Sequence, residues 1–473
     1  MTAQTVSLAI VGAGPAGLAA AAQAASLGVD TLVLDMHPRA GGHYFNLPAA
    51  NFKLRKPSQK IKEGIGLVAQ AMHDGAEIWT EASVWGIYPE EPFRVCLSGS
   101  EVNEIRAHKV ILAPGGIERQ LPFPGWTLPG VVTAGGALSL LKNQQMLLRQ
   151  RILLTGSGPL QLAAAAQLSA AGAHVLAVLE LQTSQTLLDG IRRNPSRILK
   201  RNRLSEGMSY FSKLISHGIQ YRTGWTVIEA LGENEVNAAV IARVDAAARP
   251  IDGSERTIQT DWICLGYGLL PDTQFTRILA CDHIIHPKLR VWVPVRDEWL
   301  QTSMPGVFAI GDAADVLGKE AAVLEGKLAG LAVAIQLHRI AKLQGQQIAE
   351  PLREKLAIER GFVHATQDLF RLPEDPGSLS RPDTVICRCE GITYAQIQEA
   401  ISDGATSVQA VKYYSRAGMG WCRGVTCNPL IGQIIACQRG AGLEEACHAT
   451  ARPPVFPVPL EEITENEGSS WME

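Results

Sequence analysis

An apolar run, a glycine-rich turn, an alanine-rich stretch and a second apolar run make up Leu8 to Asp35, LAIVGAGPAGLAAAAQAASLGVDTLVLD. A short apolar run bounded by glycines reads as a buried strand, and the longer run of helix formers after the turn reads as a helix. The segment predicts strand, turn, helix and strand. Arg151 to Glu180, RILLTGSGPLQLAAAAQLSAAGAHVLAVLE, repeats the pattern. Between the two, Ile78 to Cys96 alternates as strands do, with Pro89 and Pro92 marking a turn, and Lys109 to Ala113 is a short buried strand entering Pro114-Gly115-Gly116. Thr223 to Leu265 reads as several short strands with a loop around 246–256. Thr302 to Asp312 ends a strand in Gly311-Asp312, and a helix follows from about Ala321 to Ala341. Residues 343–383 form a more polar connection whose middle looks helical and whose proline-rich end suits a domain boundary. Strands alternating with helices predict an α/β protein with two Rossmann-like dinucleotide-binding domains.

Length and charge narrow the class. With 473 residues, 46% of them hydrophobic, the chain can bury two or three cores and should be a soluble multidomain protein. Ser7 to Val29 carries no charge and is long enough to cross a bilayer, but it is mostly Ala and Gly, and no Lys or Arg precedes it. It reads as neither a membrane span nor a signal peptide. A net charge of −3 argues against nucleic acid as a partner. Nine cysteines without an export signal are not a disulfide framework, and a reducing, cytoplasmic setting is expected.

The first glycine turn carries candidate chemistry. Gly12 permits the tight turn, Gly14 lets the backbone approach a pyrophosphate, and Gly17 lets helix and strand pack closely, with Pro15 and Ala16 in the same loop. Asp35, closing the second strand, suits ribose hydroxyls. Gly41 and Gly42 could bring the backbone close to a cofactor or could simply form a loop. In the second unit Gly156 and Gly158 are present, but Gln161 replaces the third glycine. Glu180 would favour NAD over NADP there, and both nucleotide binding and an empty or altered site stay open. Asp312 lies where such sheets bind ligands, and it could also cap the helix that follows.

Near the C-terminus, Cys387-Arg-Cys389 and Cys422-Arg-Gly-Val-Thr-Cys427 make a cysteine quartet. Four thiolates can hold zinc or an iron-sulfur cluster. CxC followed by CxxxxC is not a zinc-knuckle pair at either end. Gly418, Gly420 and Gly424 would let backbone N–H groups reach cluster sulfurs, and Arg388, Lys412, Arg416 and Arg423 could offset its negative charge.

Residues 6 to about 340 resemble flavoproteins with two dinucleotide-binding domains. The resemblance implies that the first unit and the Gly311-Asp312 strand together hold FAD: Asp35 at the adenosine ribose, Val84 at the adenine through its backbone, and Asp312 at the ribityl chain. It implies a FAD domain of 1–118 and 272–342, an inserted second domain of 119–271, a linker of 343–383, a 2Fe-2S domain of 384–440 and a tail of 441–473. The cysteine pair of the disulfide-reductase branch is missing, since the first cysteines are Cys96, Cys264 and Cys281. The segment CRCEGITYAQIQEAISDGATSVQAVKYYSRAGMGWCRGVTC closely resembles the small α-rich bacterioferritin-associated ferredoxin-like domain. That implies a 2Fe-2S cluster on Cys387, Cys389, Cys422 and Cys427.

Together with ILAPGGIERQLPFPGWTLPGVVTAGGALSLLK, EGKLAGLAVA and RPPVFPVPLEEI, these features resemble, over nearly the full length, the family that includes the B subunit of hydrogen cyanide synthase and the A subunit of opine oxidase. Related alpha subunits occur in D-hydroxyproline and L-proline dehydrogenase complexes. The resemblance implies an electron-transfer alpha subunit of a heteromeric amine or amino-acid dehydrogenase. Its beta subunit, with its own FAD, oxidises the substrate, often with a small ferredoxin-like gamma subunit and sometimes with FMN at the interface between the subunits. No catalytic residue is expected in this chain. The alternative is a stand-alone NADH-dependent flavin reductase, against which Gln161 counts.

Overall fold

A computed structural model of the chain describes residues 4–48, 58–100, 102–148, 150–198 and 201–464. Its largest sheet runs in the order Glu77–Trp79, Thr31–Leu34, Gln4–Val11, Glu104–Leu112, Phe93–Ser98 and Ser83–Tyr88. The strand Glu104–Leu112 serves two neighbours on one edge. Its first half pairs antiparallel with Phe93–Ser98, while Val110–Leu112 pairs parallel with Val307–Ala309. That late strand delivers Gly311-Asp312 beside the first glycine turn, close in space though remote in sequence.

Small side chains decide how the helices stack on this sheet. A Cβ at Gly326 would lie 2.2 Å from the Ala16 carbonyl oxygen, and one at Gly330 would lie 2.5 Å from that of Ala20. Only glycine permits so close an approach between the helices Pro15–Ser26 and Lys319–Gln336. The alanine-rich run that could have been mistaken for a span is thus a helix buried against another helix. Among the described residues no helix is long and apolar enough to cross a membrane.

The second unit builds a five-stranded parallel sheet in the order Gln220–Thr223, His174–Glu180, Arg151–Gly156, Trp262–Gly266 and Val131–Thr133. An antiparallel leaf of Trp225–Leu231, Ala238–Arg243 and Arg256–Gln259 covers one face. The polar stretch after it differs from a loose connection. Lys342–Leu369 is one helix, and its buried Ala349 and Leu356 join the core of the first sheet's helices. Charged residues dominate its outer faces, which is why the sequence looks polar while one stripe is buried.

The cysteine region is a hairpin, Val385–Cys387 with Ile392–Thr393, followed by helices Tyr394–Ser402, Val408–Ser415 and Cys427–Arg439. Thr393 and Gln396 form a reciprocal capping box that fixes the first helix start. Ile397, Val411, Ile431 and Ile435 fill the core.

Candidate cofactor sites

At the first turn the backbone is placed by contacts that leave a helix end open. The Gly12 N–H donates to Leu34 at 2.7 Å, and a Cβ on Gly17 would sit 1.9 Å from the Gly12 carbonyl oxygen. Pro15 starts the helix and Gly14 precedes it without a side-chain cap. No described atom lies within 4 Å of where a Gly14 Cβ would point. An uncapped helix start beside unfilled space is where an anion can be held. Gly42, at φ 62°, lies against this turn, and its Cβ would come 2.8 Å from the Gly14 Cα. The loop that the sequence left ambiguous packs on the glycine turn.

Asp35 is buried and anchors the same turn. Its Oδ2 accepts from Ala13 N at 2.6 Å, and its Oδ1 accepts from His37 N at 2.8 Å. Its carbonyl accepts from Ala82 N at 2.9 Å. Val84 follows two residues later, opposite Leu97, with its side chain in the core.

Asp312 completes the arrangement from the other end of the sheet. The residue is half-buried, its Oδ1 is closed off from solvent with no hydrogen-bond partner among the described residues, and desolvation pushes its carboxyl up to about 6. A buried acceptor without a donor is costly unless a ligand supplies one. The hydroxyls of a ribityl chain are such donors. An uncapped helix N-terminus for a diphosphate and an orphaned acceptor for a polyol are two of the demands of FAD, and these residues fit both.

Sequence reasoning missed the support beneath Asp312. Glu325, fully buried, accepts from Gly311 N at 2.8 Å, from Arg296 at 3.0 Å and from Arg360 at 2.8 Å. This network holds the Gly311-Asp312 loop. The signal was present as an acid inside the otherwise apolar EAAVLEGKLAGLAVA.

In the second unit the acid is satisfied by the chain itself, as Asp35 is, but here a side-chain amide from the helix after the glycine turn takes part. Glu180, fully buried, accepts from Gly158 N at 3.1 Å, from the Gln161 amide at 2.9 Å and from Gln182 N at 3.0 Å. Gln161 packs its Cβ against Gly266, where an added methyl would lie 2.8 Å away.

The four cysteines gather as two hydrogen-bonded pairs, Cys387 with Cys427 and Cys389 with Cys422. The bond from Cys427, helped by the Gly418 N–H at 3.5 Å, lowers the Cys387 thiol to about 6. Four cysteine sulfurs gathered in this way suit a 2Fe-2S centre held by cysteines alone. Gly420 is required where a Cβ would strike the Cys389 Cβ at 2.3 Å. Of the expected cations, Arg416 is tied to Glu390 at 3.1 Å and Arg388 lies over the Trp126 ring. Both therefore have partners other than the thiols. Cys437 is exposed and Cys447 is buried outside the quartet. Cys96 and Cys264 are pushed up to about 12 by burial, which leaves them inert.

One crevice lies between the strand pair beside Asp312 and the loop that carries the second cysteine pair. Ile117, Pro271 and Asp272 line one wall, and Gly418, Arg423 and Asn428 line the other. Gly116, next to Ile117, has Asp312 as its neighbour: an added Cβ would lie 3.3 Å from the Asp312 Cβ. The C-terminal segment holds the walls together, since Val455 N donates to Trp85 at 2.8 Å and the Arg277 guanidinium donates to the Ala449 carbonyl.

Residues 6–345 match the family described as pyridine nucleotide-disulphide oxidoreductase, and residues 385–437 match the BFD-like [2Fe-2S] binding domain. The chain is 29% identical to the HcnB subunit of hydrogen cyanide synthase from Pseudomonas aeruginosa, over 95% of this chain and 97% of that protein. It is 30% identical to the A subunit of opine oxidase from Rhizobium meliloti, over 96% and 98%. Among solved structures it resembles L-proline dehydrogenase from P. horikoshii, with a TM-score of 0.70 at 20% identity, covering 97% of this chain and 79% of that one.

Proposed function

Because the chain belongs to the pyridine nucleotide-disulphide oxidoreductase family and carries a BFD-like 2Fe-2S domain, we propose that it is the electron-transfer alpha subunit of a heteromeric amine or amino-acid dehydrogenase. As an oxidoreductase with FAD and a 2Fe-2S cluster, it combines a carrier of one or two electrons with a carrier of one. In this reading Gly12, Gly14, Pro15, Ala16, Gly17, Asp35, Gly42, Val84, Gly311 and Asp312 hold FAD, and Cys387, Cys389, Cys422 and Cys427 hold the cluster. Residues 1–118 with 272–342 form the flavin domain, 119–271 the inserted domain and 384–440 the cluster domain. The substrate is oxidised on a flavoprotein beta subunit. A small ferredoxin-like gamma subunit, together with an interface FMN, belongs to the same proposal.

The single observation that carries the reading is the crevice bordered by Ile117, whose neighbour Gly116 lies against Asp312, and by the cysteine loop at Gly418 and Arg423. Substituting Cys422 by Ser in the assembled complex tests it. Substrate should still bleach flavin in a single turnover, while steady turnover to an artificial acceptor should fall at least a hundredfold. Wild-type turnover in an assembled, cluster-free complex would make the cysteine domain structural only. Co-purification from the native host identifies the partner chains, and a chain that purifies alone and fully active would overturn the heteromeric assignment.

A further inference from the structure

We infer that the second dinucleotide unit is a nucleotide site closed by the chain's own residues, each taking the place of one part of the ligand. The turn glycine before the helix and the acid at the strand end are both present. Gly158 stands before the helix Pro159–Ala170 at φ 109° with no side-chain cap, and Glu180 ends the second strand. At the corresponding Gly14 of the first unit no described atom lies within 4 Å of where a Cβ would be.

Here the chain covers it at four points. The Phe370 side chain lies over the glycine turn, 3.7 Å from where a Gly158 Cβ would be, in the path a diphosphate would take to the helix N-terminus. The Gln161 amide occupies Glu180 as ribose hydroxyls would. Just beyond the strand, the Gln182 amide donates to the Arg371 carbonyl. Leu369 seals the far side against Gly190, where a Cβ would lie 2.4 Å from its Cδ2.

The closing segment is anchored along its length and leads to the cluster. Leu372 packs beside Leu181, Val244 and Ala248. Leu379 enters the core of the second domain, and Ser380 donates to the Pro122 carbonyl at 3.1 Å. The Trp126 indole then donates to Val385 at 2.6 Å, two residues before Cys387. The surface that would grip a dinucleotide grips the strap that seats the cysteine domain. A nucleotide could enter only by lifting residues 369–372, and lifting them would loosen the mounting of the cluster loop.

Equilibrium dialysis of the FAD-loaded, cluster-loaded chain against ADP-ribose and NADH tests the inference, with FAD keeping the first unit filled. The wild type should show no saturable binding below about 1 mM. The Gln161→Gly/Phe370→Ala chain should bind ADP-ribose at least tenfold more tightly. Micromolar, stoichiometric binding of NADH by the wild type would overturn the closure, as would a folded double variant with no gain. If that variant does not fold, hydrogen exchange of the wild type decides. Protection over 369–373 should be unchanged by NADH at about 1 mM, the same ceiling. A loss of protection there would show that the strap yields to nucleotide.

Discussion

Two units of one design, Leu8–Asp35 and Arg151–Glu180, meet opposite ends. In the first, the helix reaches the turn so closely that Gly17 has no room for a methyl, and the acid at the strand end braces the turn through backbone N–H groups. In the second, Gln161 turns its side chain back onto the acid, and Gly266 on the neighbouring strand makes room for its Cβ. The lesson is that a fold can be kept while its ligand-binding function is withdrawn. The withdrawal needs no missing strand or helix, only side chains of the same chain set over the turn and against its acid.

The strongest way to break the contrast is at the glycines. Gly17→Ala would force a Cβ to 1.9 Å from a carbonyl, so it should abolish FAD incorporation and leave mostly insoluble chain. Gly14→Ala points into open space and should leave the fold intact while cutting FAD occupancy at least tenfold. Circular dichroism with flavin absorbance separates the two, and equal behaviour of the variants would refute the contrast.

Asp312→Ala comes next in size. Removing a buried acceptor that awaits a donor should weaken FAD by roughly 1–3 kcal/mol while improving the apo fold. Flavin retention on dialysis and the thermal midpoint of the apo chain should move in opposite directions, and a parallel loss of both would make Asp312 merely structural.

NADH should not reduce the bound flavin at a catalytic rate, because the unit that would present it is filled. Anaerobic mixing that bleached the flavin band within one turnover would reverse the comparison and restore the reductase alternative.

The last effect concerns pH and touches stability alone, not cofactor or turnover. Burial raises the Glu180 carboxyl from its ordinary 4.5 to about 7. Between those values the folded chain holds a proton that the unfolded chain has released, so stability falls as pH rises through the window, by roughly 3 kcal/mol at most. In Glu180→Gln this slope should vanish. Thermal midpoints at pH 5 and pH 8 for both chains, compared as a difference of differences, would expose an error in this assignment.

Both glycine turns, their strands and the cysteine quartet were legible because their signals are local: a period, a spacing, a terminal acid. The helix Lys342–Leu369 was legible only in its middle, since its buried stripe is narrow and Pro351 lies within it. Glu325 and the strap at Phe370 were out of reach for another reason. Their partners, Gly311, Arg296 and Gly158, are distant in sequence, and an acid or a phenylalanine announces no partner by itself. The fate of Gln161 was half legible. The missing glycine was plain, but the hydrogen bond to Glu180 needed the packing of both strands and the helix.

The return of the C-terminal segment to the first domain, through Val455 and Ala449, fixes the cysteine domain at its exit as the Trp126 contact fixes it at its entry. A domain tethered at one end swings between donor and acceptor, and its delivery rate slows in glycerol or sucrose. One pinned at both ends behaves as a fixed conductor. Under the proposed relay, passage between the two centres should then be indifferent to viscosity, and any drag that syrupy solvent imposes should belong to the encounter with outside partners.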